Sequence, residues 1–424
     1  MEKKLKILSV NTSDVSGGAA RAAFRIHKAV NKLNVNSQLF VKNKLSKEDS
    51  VISLLEFVPK NFFNSAFLYL QYKLKNKIQH YQWAKYQNKE NVFLSDLRSV
   101  RLYGALKKLD YDILHLHWIN LRFLNIKKLR KINKPIVWTL HDSWAFTGVC
   151  HFFYNCDNYK DSCGKCPFLN SDNPNDISHS IWLKKEKAYQ SLNLHIVTPS
   201  KWLESCVKNS SLLKKFDVSV IPNCLDTDIY KPLSKPEACD YWKLDPTKKK
   251  ILFGAMNAIK DKNKGFDYLL AAISFLEKYT ACNSLELVIF GSDKPMQEIK
   301  TLIPIHYLGC LLDEMEIVTA YNASDVMVVP SLSEVFGQTA SESMACGIPV
   351  VAFNCSGIKE VVDHKITGYL ADPYSAENLA EGIIWCLENN KNNTLSINAR
   401  KKVLENYSMS KVGELYRDLY MKLI

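Results

Sequence analysis

Short apolar, β-branched runs alternate along the chain with longer segments whose apolar positions recur every three or four residues. The runs at 6–10, 37–41, 113–117, 136–139 and 196–199 predict one series of strands. Those at 218–221, 251–253, 285–290, 326–329 and 350–353 predict a second. Between them, 19–32, 266–278 and 377–388 carry the period of amphipathic helices, and 407–424 reads as one more. Strands spaced by helices imply βαβ units and parallel sheets, with ligands at the carboxyl ends of the strands. Two such series predict an α/β protein of two Rossmann-like domains facing a cleft. Pro222, Pro232, Pro236 and Pro246 crowd the change-over. The expected organisation is a domain at 1–215, a second at 216–406, and a helix at 407–424 crossing back onto the first.

Composition adds little to this picture. The 424 residues are 47% hydrophobic and 23% charged, which excludes disordered, collagen-like and coiled-coil classes. No apolar run approaches the roughly 18 residues that span a bilayer. The opening MEKKLKILSV reads as a first strand rather than the core of a signal peptide. A cytoplasmic protein is the expectation.

Charge changes more. Lys and Arg number 56 against 43 Asp and Glu, a net +13, which suits an acidic partner or simply a lysine-rich surface. Segment 57–89 interleaves Phe, Tyr, Trp and Leu with lysines. Such a stretch suits an anionic membrane interface, a nucleic acid, or packing on its own domain. Peripheral contact with the inner face of an anionic membrane is the expectation, with no nucleic-acid partner.

The most informative stretch is PSLSEVFGQTASESMACGIPVV, 330–351. A buried strand runs into a loop with Glu334 and Gly337, and a helix follows that carries Glu342, eight positions after the first glutamate. A helix N-terminus offers free N–H groups to a phosphate. Carboxylates beside it can hold the hydroxyls of a sugar and a ribose, so the arrangement suits a nucleotide-sugar. Without that context, the two glutamates would read as a loop solubiliser and an exposed helix residue.

This segment resembles the E-x7-E region of retaining family-4 glycosyltransferases of GT-B fold. The likeness continues through VNTSDVSGGAARAA, VTPSKWL, VIPNCLDTDIYKP, KGFDYLLAA, YNASDVMVVPSLSE and TGYLADP, in that order. The cysteine-rich insert after 148 is similar to that of the polysaccharide and colanic-acid-type subgroup. The resemblance implies sugar transfer from a nucleoside-diphosphate donor with retention at the anomeric carbon and no catalytic metal. The acceptor it implies is a lipid-linked oligosaccharide or surface polysaccharide. By the same resemblance Glu334 contacts the donor sugar, Glu342 the ribose, and the backbone at Gly337 and Gln338 the sugar and phosphate.

Lys264, followed by Gly265, matches the family lysine that neutralises the departing diphosphate. The partner arginine is missing: Ala255 stands in its place, leaving Lys260, Lys262 or helix dipoles to substitute. Ser16–Gly17–Gly18 follows the first strand; it is not G-x-G-x-x-G, which disfavours a dinucleotide dehydrogenase. Gly17 and Gly18 let the backbone approach a phosphate or acceptor, or form a plain tight turn. His141, in TLHDSWAFTG, follows a strand, and family histidines there lie close to the donor sugar. His115 and His117, at i and i+2 on one strand face, read as packing or acceptor-side residues.

Cys150, Cys156, Cys163 and Cys166 supply four soft ligands, as a tetrahedral structural zinc site requires. Two disulfides are the other reading. No cofactor is expected for catalysis, and a structural zinc bracing a loop beside the acceptor pocket is the metal expectation. Rival functions are an epimerase or phosphorylase on the same fold, and a non-catalytic zinc-containing binding protein.

Overall fold

Both series of β-branched runs form all-parallel sheets, and each sheet lies within its own compact unit. The computed structural model describes residues 4–57, 86, 102–121, 123–279, 282–296 and 299–424. The first sheet comprises β1 (Lys6–Ser13), β2 (Asn36–Asn43), β3 (Val51–Ser53), β4 (Ile113–Leu116), β5 (Ile136–Thr139), β6 (Leu194–Thr198) and β7 (Asp217–Val220). Its order is β3-β2-β1-β4-β5-β6-β7. The second comprises β8 (Lys249–Gly254), β9 (Leu285–Phe290), β10 (Ile305–Gly309), β11 (Val326–Val329), β12 (Val350–Phe353) and β13 (Gly368–Ala371). Its order is β10-β9-β8-β11-β12-β13.

In each sheet the strand order reverses once, between β1 and β4 and between β8 and β11. That reversal opens a crevice at the carboxyl ends of the two central strands, where doubly wound sheets bind ligands. The Gly17–Gly18 loop follows β1 and Ala255 follows β8; His117 and Glu334 lie beyond β4 and β11.

Helices on both faces explain why the central strands read as continuous apolar runs rather than alternating ones. In the second sheet, Leu252, Val288, Met327 and Val350 enter one apolar cluster, while Ile251, Leu287, Val328 and Val351 enter the other. All are buried.

Two expectations need correction. The run at 218–221 does not open the second series: β7 pairs with β6, His195 opposite Asp217, as the last strand of the first sheet. The chain leaves regular pairing only where Pro222 removes a donor. The compact units are accordingly Met1–Thr198, Glu204–Val220 and Arg417–Ile424 for the first, and Pro199–Leu203 with Ile221–Tyr416 for the second. The final helix, Met409–Lys422, is therefore divided, and only its residues from Arg417 onward join the first unit. Of the strands that went unread, β3 is only the three residues VIS, while IHYLG in β10 and GYLA in β13 are half-buried and not uninterrupted β-branched runs.

Among the described residues no helix is long and apolar enough to cross a membrane. Apart from Phe57 and Tyr86, segment 57–89 lies outside the described residues.

Candidate functional site

In the second unit the sequence brings Lys264 and Glu334 together. Lys264 ends a single 3₁₀ turn, Lys262–Lys264, whose entry is capped by the Asp261 side chain accepting from Asn263 N. Gly265 then takes φ +71, and a Cβ there would lie 1.9 Å from the carbonyl oxygen of Pro330. The turn after β8 and the loop after β11 therefore touch backbone to backbone. Asn263 clamps the same contact: its carbonyl accepts from Leu332 N at 2.8 Å, and its side-chain amide donates to Ser333 O at 2.9 Å.

So held, Lys264 Nζ donates to Glu334 Oε1 at 2.6 Å, with the side chains 21% and 16% exposed. Burial alone would lower the Lys264 pKa, but the Glu334 charge and hydrogen bond outweigh it, and the ammonium form is favoured. Both side chains line a cavity of about 10 Å³ together with Ala255, Ser331 and Thr339. Lys260 and Lys262 are exposed. Gly337, at φ +95, is the N-cap of the helix Gln338–Ala345. The helix begins four residues after Glu334, and the turn after β8 brings Lys264 to that stretch, so a cation, a carboxylate and a helix N-terminus share one region.

Glu342 differs from a simple polyol ligand. It is 4% exposed, and its Oε2 accepts a hydrogen bond from Tyr321, itself fully buried, at 3.0 Å. Sequence reasoning missed Tyr321 because a tyrosine in an amphipathic helix reads as core.

In the first unit three histidines form a row, His117 stacked on His141 and tilted against His115. His115 and His117 have ring centroids 4.1 Å apart, and His117 lies 5.3 Å from His141. His117 Nδ1 and His141 Nε2 share a hydrogen bond of 3.0 Å. His115 bonds Thr139 Oγ1 and the Tyr420 hydroxyl, each at 2.7 Å. Burial keeps all three neutral: His115 is pushed down to about 3, His141 to about 4, and His117 well below its ordinary range. The row is a set of neutral hydrogen-bonding rings with His141, partly exposed, at its end.

The loop after His141 is braced by groups the sequence did not flag. Asp142 accepts from Trp118 Nε1 at 2.7 Å, from Trp144 N at 2.8 Å, and pairs with His151 Nδ1. Burial would raise its pKa, yet these partners, His151 foremost, hold it below the usual carboxylate range. Lys185, fully buried, donates to the carbonyls of Trp144, Thr147 and Gly148 and lies 3.8 Å from the Trp144 ring centroid. Burial brings it down to about 7. On the other side, Gly17 takes φ +97 as N-cap of the helix Gly18–Asn31. Buried Asp14 ties this loop to the next by accepting from Leu45 N and Ser46 N at 3.0 and 2.8 Å.

Cys150, Cys156, Cys163 and Cys166 are free thiols. Among the described residues no group of three or more His, Cys, Asp or Glu is placed to hold a metal ion, although Cys150, Cys163 and Cys166 lie near enough to one another and to Cys156 to raise each other's thiol pKa. Burial raises the thiols of Cys150 and Cys163 to about 12 and of Cys166 to about 11. Cys163 Sγ accepts from Gly148 N at 3.2 Å, which ties Cys163 to the loop after His141.

The "Glycosyltransferase Family 4" model matches residues 16–229, and "Glycosyl transferases group 1" matches 240–402. A protein of Escherichia coli named for glycosyl transfer in colanic acid biosynthesis is 26% identical over 263 residues, 60% of this chain and 61% of its own length. A lipopolysaccharide 1,2-N-acetylglucosaminetransferase of Salmonella typhimurium is 26% identical over 240 residues, covering 53% and 61%. This chain thus matches less than two thirds of the length of either. Among solved structures, a sucrose-phosphate synthase from Thermosynechococcus elongatus superposes with TM-score 0.68 at 17% identity, covering 99% of both chains. Anabaena HepE in complex with UDP and glucose gives 0.63 at 17%, covering 99% and 100%. These likenesses establish the GT-B fold.

Proposed function

Since the chain belongs to glycosyltransferase family 4, we propose that it moves a sugar, with retention, from a nucleoside-diphosphate sugar to a surface polysaccharide or lipid-linked glycan. The observation that carries this reading is the Lys264–Glu334 pair beside the N-terminus of the helix Gln338–Ala345. Glu334 is suited to accept from donor-sugar hydroxyls. Lys264 is suited to take the charge that develops on the diphosphate as the anomeric C–O bond breaks. The amides around Gly337 and Gln338 supply the rest of the anion's partners, a task made heavier by Ala255 where the family has arginine. His141 is the first unit's contact to the donor sugar, as a neutral hydrogen-bonding ring.

For retention we favour internal return: the acceptor oxygen bonds to the anomeric carbon on the face the diphosphate leaves, and its proton passes to a departing phosphate oxygen. No metal enters this scheme. The HepE complexes with UDP and UDP-glucose make uridine donors the first to try. Peripheral attachment to an anionic membrane belongs to the same reading, because a lipid-linked acceptor lies at that surface.

The test is donor turnover across UDP-, GDP- and ADP-sugars, with wild type beside Glu334→Ala and Lys264→Ala. Slow hydrolysis of one donor, lost in both variants, is expected. No turnover or binding of any donor by the wild type would overturn the reading.

A further inference from the structure

His117 has one ring nitrogen 3.0 Å from His141 Nε2. Its other, Nε2, is buried with no hydrogen-bond partner among the described residues. Among the other buried polar atoms in that condition are Asn120 Oδ1 and Trp144 Nε1. All three residues are 2–3% exposed and line one small cavity, of about 10 Å³, together with His141 and Asp142. That volume is about what a single water needs, and a buried water wants two to four polar partners.

We propose that His117 is a positioning residue that fixes His141 as the Nδ1–H tautomer, backed by one buried water shared with Asn120 and Trp144. Counting protons decides the direction. Trp144 Nε1 can only donate and Asn120 Oδ1 can only accept. A water between them takes the indole proton, gives one proton to Asn120 and has one left. If His117 Nε2 is bare, it accepts that proton and every group is satisfied. If His117 Nε2 carries hydrogen, the water faces two N–H donors and a single acceptor, and a buried proton is wasted. Bare Nε2 on a neutral ring puts the proton on His117 Nδ1, which then donates to His141 Nε2. His141 must carry its own proton on Nδ1, a nitrogen with no partner among the described residues. It thereby presents a fixed N–H donor to a ligand oxygen. The functional consequence rests on His141 contacting the donor sugar; the tautomer does not.

The test uses the full chain with ring-15N histidine, read by long-range 1H–15N correlation at neutral pH without donor. His141 signals are identified by their loss in His141→Gln. Wild type is expected to show His141 protonated on Nδ1. His117→Asn, whose amide N–H₂ falls near the lost Nδ1, should keep that tautomer, and His117→Phe should shift it towards Nε2–H. A wild-type His141 protonated on Nε2, or a tautomer unmoved in His117→Phe, overturns the proposal. Donor turnover separates the two layers. His117→Phe should lower kcat by about tenfold to a hundredfold, with rescue by His117→Asn. A shifted tautomer with unchanged kcat would uphold the relay and remove His141 from the donor site.

Discussion

Lys264 and Glu334, seventy positions apart in the chain, meet at 2.6 Å because Gly265 lets two loops touch backbone to backbone. Neither residue is merely solvated. Each is about four-fifths shielded from solvent, so the pair is preorganised before any donor arrives.

Removing the lysine should be felt in both activity and stability. Lys264→Ala is expected to lower kcat for donor turnover by about 10²–10³, the loss typical of a deleted transition-state charge partner. It also leaves Glu334 largely desolvated and without its cation, at a cost of about 1–3 kcal/mol, below that of a fully buried pair. Steady-state kinetics and urea unfolding read the two effects. Unchanged kcat would remove Lys264 from the leaving-group role.

Gly265→Ala probes the contact rather than the charge. The added methyl would meet Pro330 O at 1.9 Å with φ at +71, so the loops must part. Loss of about 2–4 kcal/mol is expected, since both strain and lost packing contribute. A Tm within a degree of wild type would contradict the close approach.

Acid stability carries a signature of the neutral histidines. His27 is buried, with its ring nitrogens each 2.8 Å from Ser37 Oγ and Ser50 Oγ. Burial, helped by Lys28, lowers its pKa to about 4. The unfolded chain takes a proton near 6.5 while the folded chain refuses it until about 4, so stability falls as pH drops through that window. The contribution is about 3 kcal/mol for one such ring. His27→Gln should flatten the pH dependence of the unfolding free energy between about 6.5 and 4 by roughly one proton, leaving the slope due to the other depressed histidines, His115, His117 and His141 among them. Identical slopes in the two proteins would show that His27 charges freely.

Thiol labelling tests the four cysteines at 150–166. Cys310 is exposed, whereas Cys150 and Cys166 are buried and their thiols, like that of Cys163, are held well above the ordinary range. Iodoacetamide at pH 8 should modify Cys310 well before those three, as mass spectrometry of digests would show. Rapid labelling of Cys150 or Cys166 would contradict their burial. A mole of zinc per mole of chain would contradict their being free.

Most of this architecture was legible because both sheets are buried on both faces, which writes strands as uninterrupted β-branched runs. Glu334, Lys264 and His141 were legible for another reason: each follows a readable strand at its carboxyl end. Tyr321, Lys185 and Asp14 were not, since their roles depend on partners 21 to 41 positions away. The strand 217–220 was misassigned because local pattern names a strand without naming its sheet.

The divided final helix has a consequence for biosynthesis. Tyr420 supplies a hydrogen bond to buried His115 and belongs to the first unit, although the second unit's main segment, Ile221–Tyr416, is translated between them. A ribosome moving at about 5–20 residues per second needs some 10–40 s for that stretch. Through that interval the first unit waits at the ribosome with the slot for Tyr420 unfilled, exposing His115 to water or to chaperones. Its contact with Tyr420 is made only after Ile221–Tyr416 has been translated.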